Sequence, residues 1–264
     1  MERAVYESLL LLEIGNTNVH YAWLPGGRLR SAGRIASGAG TKEGLKALLS
    51  SLGSSLTDAT VLLSSVNRDC EKVVQEVLEQ AKTRAPLVLN PLVIKSYSDK
   101  NEISVPNYHF LGGDLFCDLI GSARRNVLVV DAGTALKILA LDKQGIFVGG
   151  AIAPGLELMR KALWNGTDMA HSGELFPPKE TLALSTEGAV SSGIVYGSAA
   201  MIEGLVAKVR KEQDMEDAPL ILTGGDSEIL GAGLEHLGGA AFSTDPLLTL
   251  KGLALAFGRK ALFA

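Results

Sequence analysis

Leu9 to Leu12 form an unbroken apolar run that meets an acid at Glu13 and ends in Ile14-Gly15-Asn16-Thr17. The same arrangement returns far along the chain as Val127 to Val130, Asp131 and Ala132-Gly133-Thr134. A short apolar run bounded by a turn signal predicts a strand buried on both faces. After the first turn the pattern alternates, with His20, Ala22 and Leu24 set against Tyr21 and Trp23 before Pro25-Gly26-Gly27. This predicts successive strands at 8–14, 19–24 and 28–35. Leu45, Leu48, Leu49 and Leu52 then recur at helical spacing behind Thr41, which predicts a helix over 42–52. A strand at 60–66, a helix over 69–82 and extended chain at 87–95 follow.

The order β-β-β-α-β-α-β is that of a ribonuclease-H-like half of an α/β fold. A helix over 112–123 carries the chain between halves. The plan then repeats, with strands at 127–131, 135–141 and 146–152, helices at 155–165 and 187–210, a strand at 219–223 and a closing helix over 247–261. The expectation is two duplicated lobes, 1–122 and 123–264, with a nucleotide cleft between them.

Composition narrows the function. Of 264 residues, 47% are hydrophobic and 20% charged, enough apolar material for one large core or two moderate ones. The net charge of −4 argues against a nucleic-acid or membrane-surface binder, which needs clustered positive charge. Cys70 and Cys117 are the only cysteines; they could pair, but a cytoplasmic chain would keep them as thiols. Neither they nor the four histidines show a metal-ligand spacing. The apolar run at 8–14 leads straight into the first turn without a cleavage site, so it reads as a strand rather than a signal peptide. No stretch reaches the roughly 20 apolar residues of a spanning helix, so the expectation is a soluble protein.

Each acid-glycine turn suits an anion. A strand that ends in a tight glycine turn points backbone N–H groups outward, and the missing Cβ lets a phosphate approach. The threonine adds a hydroxyl, and the acid can hold a metal or its water. An ordinary strand turn is the bland alternative at each place; two copies favour a phosphate held by both.

In motif order, the residues resemble type III pantothenate kinases of the acetate/sugar kinase and actin superfamily. Glu13-Ile14-Gly15-Asn16-Thr17 is similar to the family's Asp-x-Gly-Asn-Thr, Ser64-Ser65-Val66 to its strand end, and Gly112-Gly113-Asp114 to its Gly-x-Asp-Arg. Asp131 to Ala135 is identical to its Asp-x-Gly-Thr-Ala. Gly149 to Gly155, the Thr186/Ala189/Ser192-Gly193 set and Thr223-Gly224-Gly225 complete the match. The resemblance implies an actin-like ATPase fold and a homodimer that phosphorylates pantothenate with ATP, the first step of coenzyme A synthesis. It also implies a divalent metal, such as Mg2+, and a monovalent cation, K+ or NH4+. By residue, it implies Asp114 as general base, and Gly112, Gly113 and Thr186 at the substrate, Thr186 reaching in from the neighbouring subunit. Gly15, Asn16, Thr17, Gly133 and Thr134 would lie on the phosphates, Thr223, Gly224 and Gly225 at the adenosine end, and Glu13 and Asp131 at the metal. Asp114 also reads as a helix cap, as does Ser185 or Thr186, and the glycine segments as plain turns.

The chain departs from the pattern at four places. Glu13 stands for the family's aspartate, Leu115 for the arginine after the base, Lys137 for a threonine and Leu139 for an aspartate. An arginine at 115 would offer a forked contact to the substrate carboxylate. Lys137 sits at an edge, snorkels, or faces a polar cleft, where it would supply the charge of the monovalent cation. Two other readings follow from these departures: a catalytically impaired nucleotide-binding paralog with a regulatory role, and a kinase for another small hydroxylated substrate.

Overall fold

A computed structural model describes residues 7–101, 103–109, 111–168, 173–259 and 261–263. The chain divides into two units, one of Met1–Ala123 with Leu247–Ala264 and one of Arg124–Pro246.

The first unit holds strands β1 (Leu9–Ile14), β2 (Asn18–Leu24), β3 (Ser31–Ala36), β4 (Thr60–Ser65) and β5 (Leu87–Val88), in the order β3-β2-β1-β4-β5. β1 pairs antiparallel with β2 and parallel with β4, and all six of its residues are buried. One face of β1, through Leu10, Leu12 and Ile14, packs on helices α1 (Thr41–Leu52) and α2 (Arg68–Gln80). Toward the other strands' opposite side pack α4 (Gly113–Gly121) and α8 (Leu248–Ala256), α8 touching β1 and both touching β4. A Cβ on Gly252 would overlap the Cys117 carbonyl, and one on Gly121 the Leu248 carbonyl. Thr249 Oγ1 donates to the buried Asp118 carboxylate across the same contact, at 2.6 Å. This backbone-close crossing is why the closing segment groups with the first unit and not, as the sequence suggested, with the second. The helix is also shorter than the expected 247–261, and residue 260 lies outside the described residues.

Extended structure at 87–95 is corrected. β5 has two residues, and α3 (Pro91–Asn101) takes over. Proline at the first helical position has no N–H to satisfy, and Asn90 Oδ1 accepts from the N–H groups of Leu92 and Val93 at 3.0 and 3.1 Å.

The second unit holds β6 (Val127–Ala132), β7 (Ala135–Leu141), β8 (Phe147–Pro154), β9 (Leu220–Thr223) and β10 (Phe242–Thr244), in the order β10-β9-β6-β7-β8. Counted from its own first strand, each sheet therefore reads 3-2-1-4-5. That shared order is the duplication the two turns announced. α5 (Leu156–Asn165), α6 (Thr186–Glu212) and α7 (Ser227–Leu237) complete this unit. α6 is long and apolar enough to cross a membrane by length and composition, but 56% of its most apolar window is buried. Ala199, Ile202 and Val206 join the core under β6 and β7, so α6 is a core helix.

Candidate active site

In the first unit the acid turn is held by the strands beside it. Gly15 N–H donates to the Asn18 carbonyl at 2.9 Å, Ser37 Oγ to the Gly15 carbonyl at 3.0 Å, and Ser37 N–H to the Thr17 carbonyl at 2.8 Å. Asn16 and Thr17 are left exposed at its tip. Glu13 is 8% exposed and stands in register with Ser64 on β4, so the two side chains share a face.

Asp114 lies in the first turn of α4, behind Gly112 as the capping position. Both glycines lie close against side-chain atoms. A Cβ on Gly112 would come within 2.5 Å of Asp114 Oδ1, and one on Gly113 within 2.7 Å of Ser64 Oγ. Together they seat the start of α4 on the end of β4, beside the residue that neighbours Glu13. Cys117, one turn further on, reports the same convergence. Burial pushes its thiol well above the usual range, and the negative charges of Asp118, Glu13 and Asp114 push it further. Glu13 and Asp114 are thus near enough to one buried thiol to oppose its ionisation.

Ser64 Oγ is buried and has no hydrogen-bond partner among the described residues. A buried hydroxyl without a partner asks for an explanation. Among the described residues, no three His, Cys, Asp or Glu side chains gather as a metal site. Mg2+ needs no such cage, because one or two carboxylates, water and substrate phosphates suffice. An orphaned hydroxyl beside the Glu13 carboxylate fits that kind of binding.

In the second unit three chain segments meet at the Asp131–Thr134 turn. Gly133 N–H donates to the Ala135 carbonyl at 3.3 Å, and Gly155 N–H to the Thr134 carbonyl at 3.0 Å. Gly155 is the capping position of α5, and a Cβ there would overlap the Gly133 carbonyl. From the other side, Gly224 has φ +90°, and a Cβ on it would come within 2.5 Å of both Asp131 Oδ1 and the Ala132 carbonyl. Thr223 is buried and in register with Asp131. Lys137 stands opposite Asp131 on β7, with Nζ 2.7 Å from Oδ2. β7 lies inside the sheet, so the edge position considered for this lysine is excluded.

Thr186 stands at the exposed start of α6. Ser185 caps that helix, its Oγ accepting from Gly188 N–H at 3.1 Å. Of the two cap candidates in the sequence, Ser185 and Thr186, Ser185 is the cap.

The sequence profile of type III pantothenate kinases matches residues 9–208. The chain belongs to the type III pantothenate kinase family. A type III pantothenate kinase of Thermomicrobium roseum is 30% identical over 95% of this chain and 97% of its own length. That of Agathobacter rectalis is 28% identical over 96% and 97%. The crystal structure of the ethanolamine utilization protein EutJ from Carboxydothermus hydrogenoformans superposes with a TM-score of 0.56 at 13% identity, covering 93% of this chain and 88% of that one. The fold is the actin-like ATPase fold, built from two ribonuclease-H-like lobes.

Within this type III pantothenate kinase, two features of the site escaped the sequence reading. In the sequence Ser64 is only part of a motif, and its orphaned hydroxyl depends on the seating of α4. The α5 N-terminus backs onto the second turn, a role that Pro154-Gly155 ahead of Leu156 signals only weakly. Leu139, where the family pattern has an acid, is 1% exposed and belongs to the core.

Proposed function

We propose that this chain transfers the γ-phosphoryl group of ATP to the primary hydroxyl of pantothenate, giving 4'-phosphopantothenate, the first step of coenzyme A synthesis. The observation that carries the reading is the convergence of Asp114 with Glu13 and Ser64 at the start of α4, in a chain of this family. Asp114 takes the hydroxyl proton while the new O–P bond forms. The bond from phosphorus to the bridging oxygen breaks, and ADP leaves with that electron pair. The transition state is loose and carries charge on the peripheral phosphoryl oxygens, so the protein contributes mainly position and charge.

Gly15, Asn16 and Thr17 form the phosphate-contacting turn of the first unit, and Gly133 and Thr134 that of the second. The α5 N-terminus adds the positive end of its dipole behind the second turn. Thr223, Gly224 and Gly225 line the adenosine end, and Gly112 and Gly113 the substrate. In the first unit Glu13, with the Ser64 hydroxyl, would hold a divalent metal, and in the second unit Asp131 would be the carboxylate able to do so. Such a metal would supply positive charge against the phosphates.

The protein works as a homodimer, with α6 as the contact and Thr186 offered to the partner's substrate. Ala189, Gly193, Gly197, Ala200 and Gly204 form an exposed line on α6 at helical spacing. A Cβ on Gly193, Gly197 or Gly204 would meet nothing within 4 Å, so this chain's own packing does not require these glycines. Each costs about 0.8–1 kcal/mol in a helix interior relative to alanine. A second helix pressed close to that line accounts for them. Gly197→Leu should halve the mass seen by sedimentation; a dimer that persists would contradict this interface. The coenzyme A step and the free thiols Cys70 and Cys117 support a cytoplasmic setting.

The function is tested by incubating the purified protein with ATP, Mg2+ and pantothenate and weighing the product by mass spectrometry. A product heavier by one phosphoryl group supports the reading. ATP consumption with other alcohols and none with pantothenate would overturn it.

A further inference from the structure

Lys137 is an ammonium in the interior of a sheet. On the strand its neighbours are Leu136, Ile138 and Leu139, all buried. Its Nζ is 2.7 Å from Asp131 Oδ2, and the two side chains keep only 18% and 13% of their surface exposed. The other carboxylate oxygen, Oδ1, lies 3.4 Å from the Cβ position of Gly133 and 2.5 Å from that of Gly224. The ammonium is therefore one carboxylate away from two glycine turns.

Stability does not explain this arrangement. Replacing a withdrawn ion pair by well-packed apolar groups is often neutral or stabilising, because both charges must leave water. Phosphate chemistry explains it better. An aspartate alone at a phosphate turn repels the anion it is meant to help hold. A lysine beside it cancels that charge, and its flexible stem lets a compact positive centre follow an incoming oxygen.

We propose that Lys137 is the resident cation of this phosphate turn: it holds Asp131 before nucleotide arrives and neutralises a phosphate oxygen afterwards, so that no soluble monovalent cation is needed there. The proposal rests on the kinase reading for its nucleotide but not for its alcohol substrate. No bond to Lys137 forms or breaks, since its part is electrostatic.

The test is calorimetric binding of a non-hydrolysable ATP analogue with Mg2+, in buffers whose only monovalent cation is K+, NH4+ or tetramethylammonium. Wild type should bind with affinities within about 2-fold across the series, since a charge fixed in the protein does not depend on the buffer. Lys137→Gln keeps a donor for Asp131 but removes the charge. It should bind about 30-fold more weakly in tetramethylammonium, the loss of one charge-assisted contact, and recover most of that in K+ or NH4+. Lys137→Arg should stay close to wild type. Wild-type binding that strengthens more than about tenfold on adding K+ overturns the proposal, and this arm needs no variant to fold. So does a Lys137→Gln protein that binds like wild type, or one weakened without rescue by any cation, the mark of a purely structural pair. Failure to phosphorylate pantothenate would leave these binding results standing and would count only against the substrate.

Discussion

Asp114→Asn should slow phosphate transfer to pantothenate by about 100- to 10,000-fold, the range a positioned proton acceptor contributes. ATP affinity and the unfolding midpoint should remain near wild type. Gly112 is the capping position and no side chain caps α4, so the substitution gives up only the favourable interaction of a first-turn negative charge with the helix start, about 0.3–1 kcal/mol. It removes the negative charge and with it the ability to accept a proton. The surroundings favour a clean result, because asparagine has the shape of aspartate and can occupy the same tight space beside Gly112. Steady-state rates together with thermal unfolding decide the matter. Loss of stability in step with activity would mean that Asp114 serves the fold and not the proton transfer.

Gly155→Val should disable the second turn. At this position space and not backbone conformation demands glycine, since φ −70° and ψ 168° suit any residue. A Cβ would overlap the Gly133 carbonyl and come within 2.6 Å of the Thr134 carbonyl. Both atoms belong to the backbone of the turn, so neither can swing aside. The turn must move or α5 must lift. Overpacking of this kind costs about 1–3 kcal/mol, read as a lowered urea midpoint, and ATP binding should weaken at least about tenfold through the displaced turn. Gly40→Ala is a useful control, because a Cβ there meets nothing within 4 Å and should leave both measurements unchanged.

Much of the architecture was legible because burial leaves a plain trace in the sequence. Leu9 to Leu12 and Val127 to Val130 could only be central strands, and the acids and glycines behind them marked the strand ends that became the two turns. The alternation through Tyr21 and Trp23 showed the meander that both sheets share. The misses have physical causes. Val93 and Ile94 favour strand by propensity, yet Asn90 and Pro91 start a helix there by local capping. α7 went unseen because Gly231 and Gly233 weaken its helical pattern; they are needed where Phe242 and Val195 press within 3.2 and 3.1 Å of their Cβ positions. The return of α8 to the first unit depends on Gly121 and Gly252, far apart in sequence and joined only by packing. At the site, the sequence singled out Asp131 and Lys137 separately. Only the register of β6 with β7 made them a pair.

The most direct measurement is a crystal structure with a non-hydrolysable ATP analogue and Mg2+. The account predicts phosphate oxygens against the backbone of Gly133 and Thr134, with the Lys137 ammonium within hydrogen-bond reach. A nucleotide bound in full whose phosphates touch neither residue would contradict it.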